Sequence, residues 1–413
     1  MKSWSSVYLP PIDSKFNFPL LSLRDSASES VLTLPLKDEY SMYVCGITPY
    51  DTTHLGHAAT YLTFDLVNRY LRAMGKKVHF VENVTDIDDP LLERAARDDV
   101  DWRELALLQI ELFRGDMSEL HIIPPEYYVG AVEAIPLVIK AVSDLSEHGT
   151  VYSVDGDQYF SVRSDVKFGS RAHLPQETML EIFAQRGGDP QRAGKHDPLD
   201  PLLWMLQRPG EPGWASPFGV GRPGWHIECC AIALTYLPMD EDDDYLIDIQ
   251  GGGSDLLFPH HEMGAAQARI LGGKDYARVY LHTGMVGLNG EKMSKSLGNL
   301  VFLSTLVIDG ADPMAIRIAL LSKRYSADRE WASADLDESQ ALLDRLRLLL
   351  SRPEVAPTDL VIQDIIDSLS QDLDTPHVFK AITRWCDETE TGSLGGSPGE
   401  LARAMDLLLG IAI

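Results

Sequence analysis

Met42-Tyr43-Val44-Cys45-Gly46-Ile47-Thr48-Pro49, followed after four residues by His54-Leu55-Gly56-His57, is the stretch that decides the fold. The apolar run ending at Cys45 reads as a buried strand, and Gly46 to Pro49 as the turn leaving it. A helix is expected from near His54 through Leu71, because Ala58, Leu62, Leu66 and Tyr70 recur at helical spacing. After Gly75, Val78-His79-Phe80-Val81 reads as a second strand. Strand, helix, strand in that order predicts a right-handed crossover and a parallel sheet, hence an α/β chain.

Outward from this unit, the 413 residues exceed what one hydrophobic core holds, so two or three compact units are expected. Residues 116–223 are rich in turn formers and carry Arg186-Gly187-Gly188-Asp189-Pro190, which reads as an insertion. A second alternating block runs from Trp225 past Gly251-Gly252-Gly253, and beyond Asn299 the pattern turns helical, as in Leu342, Leu343, Leu346 and Leu349. The start, Met1-Lys2-Ser3-Trp4, lacks the apolar core of a signal peptide, and no apolar run is long enough to span a bilayer, so a cytoplasmic protein is expected. Four cysteines, Cys45, Cys229, Cys230 and Cys386, are too few for a disulfide scaffold and are left free for metal or chemistry. The net charge of −26 argues mildly against a nucleic-acid partner, although a local basic stripe can sit inside an acidic total.

His54-Leu55-Gly56-His57 opens a helix directly after a strand, where free N–H groups and the helix dipole favour a phosphate. Lys292-Met293-Ser294-Lys295-Ser296 follows the turn Gly287-Leu288-Asn289-Gly290 and reads as a mobile basic loop, able to neutralise a leaving pyrophosphate. Each motif alone is ordinary, one as two surface histidines and the other as a solvated loop; both in one chain, in this order, are not. Cys45, Cys229 and His260 are suitable ligand types for zinc, but their spacing does not by itself separate a site from buried cysteines and a core histidine.

With both motifs in place, the sequence resembles the class I aminoacyl-tRNA synthetases, and within them cysteinyl-tRNA synthetase. The closer likeness rests on Tyr43 to Gly46, Thr85-Asp86-Ile87-Asp88-Asp89, Gly224 to Cys229, Gly251 to Leu256 and Phe258-Pro259-His260-His261-Glu262, and it covers residues 20 to 350. The resemblance implies a class I synthetase-type Rossmann-like sheet with a connective insertion and a C-terminal helical region. It divides the chain into catalytic halves at 1–115 and 224–300, an insertion at 116–223, a stem-contact-like region at 301–345 and a helical unit at 346–413. It also implies one zinc ion per chain on Cys45, Cys229 and His260, and ATP with Mg²⁺. A metal that grips the thiol makes chemical sense, since shape alone separates cysteine from serine by only ~1–3 kcal/mol.

Four features depart from the synthetase. Gly264 stands where a further glutamate ligand is usual, Pro90 follows Thr-Asp-Ile-Asp-Asp, residues 186–190 have no counterpart, and residues 346–413 leave little room for anticodon reading. These departures are similar to the mycothiol cysteine ligase family, which joins cysteine to the amine of glucosaminyl-inositol. The resemblance implies that His54, His57, Lys292 and Lys295 serve catalysis. It implies that the adenylate meets Cys45, Gly46, Ile47, Thr48, Thr60, Asn83, Val84, Thr85, Trp225, Gly253, Ser254, Asp255 and Val286. Asp88 or Asp89 is a candidate to orient the cationic acceptor, with a helix cap as the plainer reading. A monomer without a membrane or nucleic-acid partner is expected. Cysteinyl-tRNA synthetase with a reduced anticodon-binding region is the alternative.

Overall fold

The computed structural model describes residues 1–50, 53–293 and 298–413, with Lys292 described in its backbone alone. The hairpin β1 (Ser22–Asp25) and β2 (Ser30–Thr33) leads into β3 (Glu39–Val44), α1 (Leu55–Ala73) and β4 (Lys77–Val84). Helices α2 (Asp89–Asp98) and α3 (Trp102–Glu119) precede β5 (Tyr127–Gly130) and α4 (Ala131–Glu147). Strands β6 (Val151–Val154), β7 (Asp157–Phe160), β8 (Leu202–Leu206) and β9 (Gly221–Pro223) form a separate antiparallel sheet, with α5 (Gln176–Gln185) between β7 and β8. The chain returns through α6 (Trp225–Tyr236), β10 (Tyr245–Gly253), α7 (Glu262–Gly272) and β11 (Asp275–Thr283). A small sheet of β12 (Val286–Leu288), β13 (Glu291–Lys292) and β14 (Arg329–Glu330) follows, with α8 (Leu303–Ile308) and α9 (Pro313–Leu321) between its last two strands. Helices α10 (Ser333–Leu350), α11 (Asp359–Ser370), α12 (Thr375–Glu390) and α13 (Pro398–Leu409) complete the chain.

The central sheet has the order β11-β10-β3-β4-β5, with every neighbouring pair parallel. Its chain-order pattern is that of a doubly wound dinucleotide-type sheet, whose strand order reverses between β3 and β10; ligands bind such sheets at the carboxyl ends beside that reversal. The expected strand–helix–strand unit is present, with β4 running beyond Val81 to Val84. Residues 127–130 differ from expectation. They lie inside the stretch read as insertion, yet they form the edge strand of the central sheet, pairing Val81 with Tyr127 and Val84 with Gly130.

Two apolar cores flank the sheet. One joins α1, α3 and α9 to α10–α13, and the other joins α4, α6 and α7 to the insertion. Helix α1 is buried on most of its surface, polar residues included. Asp65 accepts from Arg69 Nε at 2.7 Å, from Arg317 and from the Ile123 amide at 2.9 Å. Both guanidiniums continue to α13, Arg69 donating to Asp406 O at 2.6 Å and Arg317 to Leu409 O at 2.5 Å. Two cations thus sit at the carbonyl end of α13, where the helix dipole favours positive charge. No helix among the described residues is long and apolar enough to cross a membrane.

Candidate active site

A cavity of about 560 Å³ opens where β3 and β10 end. Cys45 leaves β3 with its amide bonded to Gly251 O at 3.0 Å, which ties it to the neighbouring strand. Gly46 then passes so close to β4 that a Cβ would stand 1.6 Å from Asn83 O, so no side chain fits. The Gly46 amide donates to Asn83 Oδ1 at 2.9 Å, and Asn83 Nδ2 donates to Thr85 Oγ1 at 3.2 Å.

At one end of the cavity α1 begins. His54 caps it, with Nδ1 accepting from the Gly56 amide at 3.0 Å, and stacks on His57 with ring centroids 3.9 Å apart. A Cβ on Gly56 would meet the His54 ring at 2.7 Å, so glycine permits the stack. Below this end, burial pushes the Asp116 carboxyl up to about 7, with the neighbouring Thr53 hydroxyl pulling the other way.

At the other end lie Cys45, Cys229 and His260, all buried, with one ligand atom from each within 4.8 Å of the others. Cys45 Sγ is 4.0 Å from Cys229 Sγ, and His260 Nε2 is 3.2 Å from Cys229 Sγ. The sulfur spacing is close to the ~3.8 Å of two thiolates sharing one tetrahedral ion, so this donor set fits a bound metal. Trp225 stacks on His260 at 4.4 Å, and His226 Nδ1 meets His260 Nδ1 at 3.1 Å, which leaves Nε2 facing the sulfurs. Burial opposes ionisation of Cys229, but its hydrogen bond with Cys45 and the neighbouring His260 hold that thiol well below its usual range, while burial holds Cys45 above it. Cys230 lies outside the cluster, its thiol pushed up by burial.

Of the residues the sequence singled out, Cys45, Gly46, Ile47, Thr48, His54, His57, Thr60, Asn83, Thr85, Trp225, Cys229, Gly253, Asp255, His260 and Val286 all line this cavity. Val84 does not: its side chain faces the apolar core. Ser254 is exposed and likewise does not line it. Lys295 lies outside the described residues, as does the side chain of Lys292. At Gly264 a Cβ would meet only His226 O, at 3.9 Å, so the missing side chain reflects no crowding among the described residues. Asp88 caps α2 through the Asp89 amide, and burial raises its carboxyl to about 6, whereas Asp89 pairs with Arg222.

Sequence reasoning missed His261, whose Nε2 lies 3.2 Å from Cys45 Sγ, and His282, 2.8 Å behind it. It also missed Thr283-Gly284-Met285, which lines the cavity from the last residue of β11 onward; the available signal was the end of the next parallel strand.

Residues 33–341 match the family described as tRNA synthetases class I (C) catalytic domain. The chain is 51% identical over 420 residues to an L-cysteine:1D-myo-inositol 2-amino-2-deoxy-alpha-D-glucopyranoside ligase of Thermomonospora curvata, and 50% identical over 417 residues to the ligase of that name from Streptomyces scabiei; both matches cover 100% of each chain. Among solved structures, Mycobacterium tuberculosis methionyl-tRNA synthetase in complex with methionyl-adenylate superposes with a TM-score of 0.64 over 91% of this chain and 89% of its own, at 16% identity. The Agrobacterium radiobacter LeuRS in its ternary complex also gives 0.64, over 91% and 83%, at 12% identity; these likenesses concern the fold. The chain belongs to the class I (C) tRNA synthetase catalytic-domain family and, within it, to the L-cysteine:1D-myo-inositol 2-amino-2-deoxy-alpha-D-glucopyranoside ligases.

Proposed function

We propose that this chain is an ATP-dependent ligase that condenses L-cysteine with the amine of glucosaminyl-inositol through cysteinyl-AMP, releasing pyrophosphate and then AMP. The observation that carries it is the buried Cys45–Cys229–His260 cluster, opening on the same cavity as the start of α1. Full-length relatives bearing the ligase name favour this amino-sugar acceptor over tRNA. The catalytic halves, residues 1–115 with the edge strand β5 and residues 224–300, meet at the β3–β10 pairing beside this cavity; residues 301–345 and 346–413 buttress it.

Cys45, Cys229 and His260 would hold a zinc ion, which when bound supplies a ligand place that prefers a thiolate to a hydroxyl. The remaining work falls to the chain's own groups. The α1 N-terminus with His54, Gly56 and His57 receives the phosphates of ATP, which would carry Mg²⁺ with them. Asp255 and Trp225 hold the cysteine ammonium or the ribose and so aim the cysteine carboxylate at the α-phosphorus. Attack there breaks the bond to pyrophosphate, whose charge the lysines of the 292–296 loop neutralise. The acceptor amine then attacks the activated carbonyl, AMP departs with the bonding electrons, and the nitrogen gives up a proton to the medium. Positioning and charge stabilisation carry most of the acceleration, since no protein nucleophile is required. A cytoplasmic monomer suits this small-molecule chemistry.

The test is to supply cysteine and ATP with either glucosaminyl-inositol or tRNA and to follow product. AMP release driven by the amino sugar is expected. Charging of tRNA without consumption of the amino sugar would overturn the proposal.

A further inference from the structure

Segment 255–262 carries His260 yet has little regular structure to hold it. Residues 257–261 form a wide, irregular turn, with Phe258 in extended conformation (φ −136°, ψ 135°). A side chain on such a turn keeps its place only if groups outside the turn fix the backbone. The antiparallel insertion reaches this segment at both of its ends.

At the far end, Glu262 follows His260-His261 directly and is fully buried. Its Oε1 accepts from the Gly169 amide at 2.9 Å and from Arg171 Nη1 at 2.7 Å, and its Oε2 from the Arg171 and Ala172 amides at 3.1 and 3.0 Å. Three consecutive-region amides and a guanidinium make a carboxylate nest, and Asp165 backs it, bonding both Arg171 nitrogens at 3.3 Å. At the near end, Arg186 donates to Asp255 O at 3.3 Å and lies 3.6 Å from its carboxylate.

The Arg186 to Pro190 segment gains a reading from this contact. The chain leaves α5 at Arg186, turns at Gly187 (φ +82°), and crosses Phe183 at Gly188, where a Cβ would stand 2.6 Å from the ring. Asp189 then anchors to Tyr159 and, at 2.9 Å, to Lys195. The two glycines and the aspartate therefore aim one side chain, Arg186, back at the wall of the active-site cavity.

We infer that the insertion is a two-ended clamp: Arg171 and Glu262 are positioning residues for His260 and the metal site, and Arg186 is a positioning residue for Asp255. This rests on the metal reading proposed above. The clamp explains why a separate sheet, inserted between the two halves of the central sheet, bears on cysteine selection: it sets where the thiol-binding segment stands.

The test uses the full chain purified with its zinc, measuring zinc release to a chromophoric chelator together with KM for cysteine and for ATP. Glu262→Gln and Arg171→Ala are expected to speed zinc release and to raise the cysteine KM by about 10-fold or more, with the ATP KM unchanged. Arg171→Lys, which keeps the charge but loses the fork, should fall between them and the parent. Arg186→Ala is expected to leave zinc release at the parent rate while raising the cysteine KM, and Arg186→Lys to restore part of it. Wild-type zinc release and cysteine KM in folded Glu262→Gln protein would overturn the clamp. If Glu262→Gln does not fold, Asp165→Asn, which weakens Arg171 without touching Glu262, decides by the same readouts. A parent protein isolated without metal would sink the metal reading alone, because the cysteine KM still judges the clamp.

Discussion

The two ends of the cavity are built on opposite plans. The thiol end is assembled from three segments, with Cys45 and Cys229 separated by 184 positions, and every ligand atom there is buried and already close to its partners. The phosphate end is local, a helix start and two stacked histidines within four residues, with Met293 on the facing wall of the cavity. Under the proposed function, sharp selection falls to the preassembled end, and charge that appears only during reaction is met at the helix start.

The comparison breaks most visibly if the thiol end is dismantled. Cys229→Ala should lose bound zinc, and the preference for cysteine over serine in pyrophosphate exchange should fall to the roughly 10–200-fold of a shape-only pocket. Unchanged selectivity in metal-free protein would place discrimination elsewhere. His57→Ala, at the other end, should lower the exchange rate about 10²–10³-fold and leave the cysteine–serine ratio intact. A shift in that ratio would show that the two ends are not separable.

A subtler cut is His226→Ala, which removes the partner of His260 Nδ1 at 3.1 Å. Zinc affinity, measured by chelator competition, should weaken about 10-fold while the phosphate end is untouched. Asp116→Asn gives the smallest effect and a distinct pH signature. Because the folded carboxyl is raised to about 7, the native state loses stability as pH climbs from the unfolded value near ~4 toward 7. The amide variant should therefore melt roughly 1–3 °C higher than the parent at pH 8, with no such gain at pH 4. Equal gains at both values would show that Asp116 does not titrate with folding.

The same contrast governs what the sequence could reveal. The phosphate end is contiguous, so His54 to His57 after an apolar strand becomes legible once the 292–296 motif is found in the same chain. The thiol end follows no period; Cys45, Cys229 and His260 form a set only through family likeness, and His226 and His261, inside the same motifs, carry nothing in their spacing that assigns them a role. Strand β5 was hidden because Tyr127–Gly130 is short and sits in a turn-rich stretch. Val84 was carried over with its neighbours, yet alternation along a strand turns it to the other face, into the core. Arg69 and Arg317 are fully buried, and it is the packing of α13 that covers them.

That pair has a consequence for how the protein comes into being. Arg69 belongs to the helix that begins with the phosphate motif, yet it is satisfied by a carbonyl 337 residues further on, at Asp406. A ribosome delivers α1 long before α13, and until α13 docks, the guanidiniums of Arg69 and Arg317 lack the carbonyls of Asp406 and Leu409. The helix that opens with the His54 to His57 motif is therefore packed to completion only once a segment 337 residues further along the chain has docked.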